Sequence, residues 1–181
     1  MTTIAQSTEV LPAGVWNADT AHSRAEFAAE YIGGTFRGAF SPFEARLEVG
    51  EDGSASLTGV ARAENVRVQA EDLEAHLLSP EFFDSERTPE LTFRSTEIRR
   101  SGDAIEVDGE LTVRGTSRPV HLTGTVRGPI EAYGQRRIGL TLETTVDRTA
   151  FGLNWNAPLD DGGPALANDV ELITELFLVH E

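Results

Sequence analysis

The chain has 181 residues, of which 39% are hydrophobic and 25% are charged, a balance typical of one folded globular domain and not of a disordered chain. Thirty acidic and fifteen basic side chains give a formal net charge of -15, so the surface repels polyanions and nucleic acid is excluded as a partner. The absence of cysteine excludes disulfides, thiolate nucleophiles and cysteine-ligated metals.

The first residues differ from the rest of the chain. Residues 1–14 are polar, contain Pro12 and Gly14 and show no periodicity, which predicts a loose N-terminal leader followed by a folded domain over residues 15–181. The first residues do not contain the basic segment and the following apolar stretch that are typical of a secretory signal. No run approaches the ~20 apolar residues that span a bilayer. We therefore expect a cytoplasmic protein.

Alternation of apolar and polar residues dominates the sequence from there on and predicts about eight β-strands, each with one buried face. The stretches around residues 25–31 and 43–49 show the pattern clearly. Glycines such as Gly50, Gly53 and Gly115 fall where the turns between strands are expected.

One segment breaks the alternation. In residues 69–86, leucines fall at helical spacing and Pro80 ends the run. This predicts a short helical segment at about 71–84, made of a helix near 71–78 and a further helical turn around 81–84. Since no strand-helix-strand repeat is present, a parallel α/β sheet is disfavoured.

Alternation by itself does not distinguish a sandwich from a barrel. Two features favour a closed barrel with a hollow interior. The strands are long, and many inward positions are small, which leaves space in the interior; these are Ala25, Ala29, Ala45, Ala61 and Ala63.

Several motifs together resemble the YceI-like family. They are WNADTAHS at 16–23, GTFRGAF at 34–40, HLLSPEFFDSERTPELTFRS at 76–95, GELTVRGTSRPVHL at 109–122 and DRTAFGLNW at 147–155. The resemblance extends from about Trp16 to the C-terminus. It implies an all-β, extended eight-stranded antiparallel lipocalin-like barrel that holds a polyisoprenoid or a similar long-chain amphiphile.

The residues expected to bind such a ligand are the large side chains on inward strand faces. A slip of one residue in the strand register would exchange the two faces, and ordinary core packing is the alternative for each position. The lining candidates are Phe27, Tyr31, Phe36, Phe40, Leu47, Leu91, Phe93, Leu111, Leu122, Leu140 and Leu172.

Two further groups are candidates at the ends of the barrel. Near the first strand, Trp16 and His22 either bind a ligand head group or form a tryptophan plug whose turn His22 fixes, and we favour the plug. In the helical segment, His76, Phe82 and Phe83 form either a lid that contacts the ligand or a packed seal. Phe151 and Trp155 either rim the opening or pack beneath a loop, and we favour packing beneath the loop.

These observations favour a binding protein that carries or stores a polyisoprenoid, an isoprenoid quinone or a fatty-acid derivative, with no cofactor required. Transient membrane contact and a homodimer are compatible with this function. No metal-ligand, nucleophile-elbow or phosphate-loop motif is present. The alternatives are an isomerase or cyclase that folds an apolar substrate in the lumen, with His22 or His76 transferring protons, and a packed structural or partner-binding domain.

Overall fold

A computed structural model describes residues 11–181 of the chain. Within these residues, eleven β-strands form a single antiparallel sheet, and one α-helix and two single-turn 3-10 helices connect some of the strands. The strands are β1 Gly14–Ala18, β2 Arg24–Tyr31, β3 Gly34–Phe40, β4 Glu44–Val49, β5 Ala55–Arg62, β6 Val66–Arg67, β7 Glu90–Ser101, β8 Ala104–Val113, β9 Thr116–Ala132, β10 Gln135–Asp147 and β11 Leu166–His180. The helix is α1 Glu71–Leu78, and the 3-10 helices are Ala63–Asn65 and Arg148–Phe151.

The sheet closes into a barrel. Within residues 11–181, eight strands form the ring in the order β1-β4-β5-β7-β8-β9-β10-β11, and β11 pairs with β1 to complete it. At the closure, Trp16 is opposite His180 on β11 and opposite Leu47 on β4. The closed eight-stranded antiparallel barrel expected from the sequence is therefore confirmed.

The three other strands extend the wall of the same barrel. β2 follows β1 after a five-residue turn and pairs with the first part of β11, while β3 precedes β4 and pairs with β2. β6 follows β5 after the 3-10 turn Ala63–Asn65 and pairs with the end of β3. Each of the first three long strands is thus broken into two pieces, which is why eight predicted strands correspond to eleven observed ones.

The predicted helical segment is half helix and half turn. α1 covers Glu71–Leu78 with Leu77 buried, as the leucine spacing predicts. The helical turn predicted at 81–84 is wrong: the amides of Phe83 and Asp84 donate to the carbonyl oxygens of Leu77 and Ser79 instead of continuing a helix. Because Pro80 has no amide hydrogen, the chain folds back on the helix end as a loop.

Buried side chains form two clusters at opposite ends of the barrel. One cluster surrounds Trp16 and includes Leu11, so residues just before β1 belong to the fold. The other cluster lies between α1, its following loop and the loop after β10. Residues 1–10 of the predicted leader lie outside the described part of the chain. No helix in residues 11–181 is long and apolar enough to cross a membrane.

Candidate ligand-binding cavity

The barrel contains a cavity of about 350 Å³ in the half that α1 covers. This volume lies within the range of about 300–1,000 Å³ that is typical of small-molecule binding sites. The wall is formed by inward-facing side chains of β2 to β5 and β7 to β11, together with α1, the loop after it and the loop after β10. The interior is therefore hollow on the side of the helix.

The period-2 geometry of the strands supplies this wall. On β10, Leu142, Thr144 and Val146 face the cavity while the residues between them face outward. β11 contributes in the same way with Val170, Leu172, Thr174 and Leu176. Most wall residues are aliphatic or aromatic, and threonines account for most of the polar ones. An apolar chain in this space would leave few polar groups without partners.

The opposite end of the barrel is closed by packed side chains. Trp16 has 0% of its surface exposed, and its indole Nε1 donates to the carbonyl oxygen of Pro12 at 3.1 Å. The ring of His180 contacts it edge-on with centroids 4.7 Å apart, and the Arg136 guanidinium lies 5.7 Å from the ring centroid. Trp16 therefore plugs this end, as the structural interpretation of the sequence predicted.

The turn after β1 is held by the neighbours of this plug. The carboxylate of Asp19 lies 2.8 Å from Nδ1 of His22 and accepts from the amide of Ala21 at 2.9 Å. These hydrogen bonds, that of His22 first, lower the pKa of the Asp19 carboxyl. Ser23 is buried, and its hydroxyl accepts from the amide of Phe177 on β11. His22 thus serves the turn and lies outside the cavity wall.

An aromatic cluster with a histidine lies at the helix-covered end of the cavity. The ring of His76 packs edge-on against Phe82 and Trp155, with centroid distances of 4.9 and 5.0 Å. Nε2 of His76 lies 2.6 Å from a carboxylate oxygen of Glu81. Since His76, Phe82 and Trp155 all line the cavity, this cluster forms its mouth.

Arg148 fixes the loop that carries Trp155. It is only 5% exposed, and its guanidinium donates to four backbone carbonyls, those of Leu153, Trp155, Leu166 and Ala167. Burial lowers the pKa of the Arg148 guanidinium, while the nearby Asp147 carboxylate opposes this effect. Arg148 therefore joins the two sides of the long loop between β10 and β11.

The structure brings most of the sequence-predicted residues together in one wall. These are Phe27, Tyr31, Phe36, Phe40, His76, Phe82, Phe83, Leu91, Phe93, Leu111, Leu122, Trp155 and Leu172. Three predicted residues lie elsewhere. His22 is in the turn after β1, and Leu47 and Leu140 are buried in the packed end around Trp16. Leu47 and Leu140 face inward as predicted, but they lie at the end of the barrel where packed side chains leave no cavity.

Sequence reasoning missed some of the wall. Arg148 belongs to the DRTAFGLNW stretch that carried the family resemblance, but no role was predicted for it. Phe151, which was considered together with Trp155, also lines the cavity. The wall threonines were missed because a threonine is equally common on an outward strand face. Four of the five predicted small residues do line the cavity, namely Ala25, Ala29, Ala45 and Ala61.

The fold and the cavity define a class of protein, the closed lipocalin-like β-barrel with an apolar interior. The family model of the YceI-like domain matches residues 16–177, and the chain belongs to this family. Among solved structures, it is similar to Burkholderia cenocepacia BcnA, with a TM-score of 0.73, 20% identity and coverage of 91% of this chain and 99% of the other.

Two further relatives extend the comparison. A UPF0312 protein of Pectobacterium atrosepticum is 31% identical over 156 residues, which cover 84% of this chain and 78% of the relative. A polyisoprenoid-binding domain from Saccharophagus degradans, described as implicated in plant cell wall breakdown, has the same fold with a TM-score of 0.71 at 10% identity. That similarity covers 92% of this chain and 98% of the other.

Proposed function

We propose that this protein binds a long-chain apolar amphiphile in its cavity and carries or stores it. The ligand class comprises polyisoprenoids, isoprenoid quinones and fatty-acid derivatives. The observation that carries the proposal is the hollow, apolar half of the barrel, enclosed by strands and covered by α1. The description of the Saccharophagus degradans neighbour as a polyisoprenoid-binding domain supports it. The proposal requires no cofactor.

The energetics favour a long tail over a short ligand. Each methylene transferred from water to an apolar site contributes about 0.8 kcal/mol, whereas association costs an estimated ~4–15 kcal/mol in lost freedom and ordering. A tail of about ten carbons or more is therefore needed for useful affinity. The cavity is continuous from the mouth at His76 and Trp155 to the residues above the plug, such as Leu57 and Leu176.

The mouth also supports transient contact with a membrane. Tyr31 and Leu73 line the cavity, yet they are 38% and 42% exposed. Ile32, next to Tyr31 at the tip of the β2–β3 hairpin, is 59% exposed. An apolar surface that continues from the interior to the outside is suited to passing a ligand to and from a bilayer. A homodimer and a cytoplasmic location stay predictions from the sequence.

Native mass spectrometry of protein purified from its own host tests the proposal. We expect an additional mass that corresponds to a long-chain lipid and that disappears after organic extraction. The matched control is a variant with a filled cavity, Leu111→Trp, which should purify without that mass while keeping its fold. A protein that is empty from its host and refuses every long-chain lipid offered would refute the proposal.

A second candidate is an enzyme that folds an apolar substrate in the cavity. The specific observation in its favour is the 2.6 Å contact between His76 and Glu81 at the mouth, because a histidine oriented by a carboxylate can transfer protons. His22 cannot take this role from its place outside the wall. Loss of turnover in His76→Ala, with tail binding retained, would support the enzyme. The hollow interior disfavours the packed-domain alternative.

A further inference from the structure

His76 and Glu81 form a fixed polar pair at the mouth of an otherwise apolar cavity. The Nε2 atom of His76 is 2.6 Å from the Glu81 carboxylate. Phe82 and Trp155 contact the imidazole edge-on at 4.9 and 5.0 Å. The pair therefore holds one ring orientation before any ligand arrives, which is the condition for specific recognition.

This contact determines which atom of His76 is left for a ligand. A carboxylate only accepts hydrogen bonds, so Nε2 of His76 donates to Glu81. In a neutral imidazole that donates from Nε2, the other nitrogen, Nδ1, is an acceptor. Nδ1 of His76 has no hydrogen-bond partner among the described residues, and the residue lines the cavity.

The other charged groups of the wall are already engaged. The Arg148 guanidinium donates to four backbone carbonyls of its own loop. The carboxylate of Glu26 pairs with Arg24 at 2.6 Å. Neither group is therefore available as the principal partner of a ligand head group.

Building on the proposed function, we propose that the cavity selects amphiphiles with an uncharged hydroxyl head group, which donates to Nδ1 of His76, and rejects phosphate and diphosphate heads. Prenols and prenylated phenols have the required chemistry.

The charges around the mouth argue against an anionic head. The Glu81 carboxylate lies directly behind His76, and the first turn of α1 adds Glu71, Asp72 and Glu74 at the same end of the barrel. A phosphate at this position would be repelled by these carboxylates, with no uncommitted arginine in the wall to compensate.

The test compares three ligands that share a tail, on delipidated protein, by calorimetric titration. Farnesol has the hydroxyl donor, farnesyl methyl ether keeps the oxygen but lacks the donor, and farnesyl diphosphate carries the anionic head. We expect farnesol to bind about fivefold more tightly than the ether, the effect of one hydrogen bond, and more tightly than the diphosphate.

Two variants assign the selectivity to the pair. His76→Phe keeps a ring between Phe82 and Trp155 and should reduce the preference for farnesol over the ether to about one. Glu81→Gln, at a site 57% exposed, should improve diphosphate binding about threefold, the scale of one exposed charge. His121→Phe, outside the cavity wall on β9, is the matched control and should change neither ratio.

The outcomes separate this inference from the proposed function. Tighter binding of the diphosphate than of farnesol, or an unchanged preference for farnesol in His76→Phe, would overturn the inference alone. Equal binding of farnesol and the ether would do the same, because it shows tail binding without recognition of the head. If none of the three ligands binds, both the inference and the proposed carrier function fail.

Discussion

The ring of Phe27 lies over Gly38, its cross-strand partner on β3: a Cβ atom added to Gly38 would be 2.3 Å from Cζ of Phe27. Phe93 of β7 lies in the same way over Gly109 of β8, which is two residues from its direct partner Leu111, with a corresponding distance of 2.5 Å. In both cases the missing side chain lets a phenylalanine lie along the wall of the barrel. The cavity depends on this, because both rings line it.

We predict that Gly38→Ala narrows the cavity without unfolding the barrel. The new methyl group forces the Phe27 ring toward the lumen, and at the usual cost of overpacking the affinity for a C15 tail should fall about tenfold. Calorimetric titration with farnesol measures the effect.

Two further variants test the mechanism. Gly38→Ala combined with Phe27→Leu should restore binding, because the smaller side chain removes the clash. Gly139→Ala on β10, where an added Cβ meets nothing within 4 Å, should bind like the parent protein. Full affinity in Gly38→Ala would contradict the prediction, because it would show that the Phe27 ring moves without entering the lumen.

The two halves of the barrel should respond differently to the same truncation. Leu140 is 2% exposed in the packed end, so Leu140→Ala leaves a new void and should lower the free energy of unfolding by about 2–5 kcal/mol. Leu172 faces the existing cavity, so Leu172→Ala should cost less than about 2 kcal/mol in the ligand-free protein. Urea denaturation measures both, and equal losses would contradict the division into a packed and a hollow half.

The difference between the packed and the hollow end of the barrel shows which features of the site could be predicted from the sequence. Alternation determines which face a residue occupies, and it correctly placed Phe27, Phe93 and Leu172 inward. Leu140 and Leu142 are two residues apart and share a face, yet only Leu142 lines the cavity. Depth along the barrel axis depends on long-range pairing, such as that of Trp16 with His180, which local periodicity does not encode.

Arg148 shows the same limit for a polar residue. It follows an aspartate at the end of a strand and has the local sequence of an ordinary turn residue. Its role arises because carbonyls 5 to 19 residues away converge on it, and this depends on the course of the whole loop. The family motif marked the segment without indicating this function.

We predict that Arg148→Lys loosens the loop between β10 and β11. A lysine cannot reproduce the planar fork of donors, so buried carbonyls lose their partners and the protein should lose about 2–4 kcal/mol of stability. Hydrogen exchange should rise in residues 153–167. Arg114→Lys is the control, since the half-buried Arg114 makes one solvent-exposed hydrogen bond to the carbonyl of Gly152, on the same loop. Equal exchange in both variants would refute the role of Arg148.

Low pH should destabilise the turn that begins at Arg148, because its cap is the carboxylate of Asp147. The side-chain oxygen of Asp147 accepts from the hydroxyl and the amide of Thr149 at 2.6 and 2.9 Å, and these bonds lower the pKa of the Asp147 carboxyl. A lowered folded-state pKa means that this contribution to stability is present above the unfolded value of about 3.9 and is lost as the pH falls through the folded pKa.

Asp147→Asn should therefore lose less stability than the parent protein as the pH falls below about 4. Its stability at pH 7 should stay close to that of the parent, because asparagine also caps a helical turn. Urea midpoints measured from pH 7 down to pH 2.5 give the two profiles. Parallel profiles would show that Asp147 does not contribute to the pH dependence.

The hairpin tip at the mouth combines exposure with backbone strain. Ile32 is 59% exposed and has a φ of 44°, a left-handed conformation that costs a β-branched residue about 1–2 kcal/mol and suits asparagine better. Ile32→Asn should therefore stabilise the protein while slowing the transfer of a fluorescent polyprenol from phosphatidylcholine vesicles, because the apolar contact with the bilayer is lost. Tyr133→Asn is the matched control: Tyr133 is 96% exposed with a φ of 53°, but it lies in the β9–β10 turn at the plugged end. It should gain stability without any change in the transfer rate, and equal transfer rates in both variants would place the loading site elsewhere.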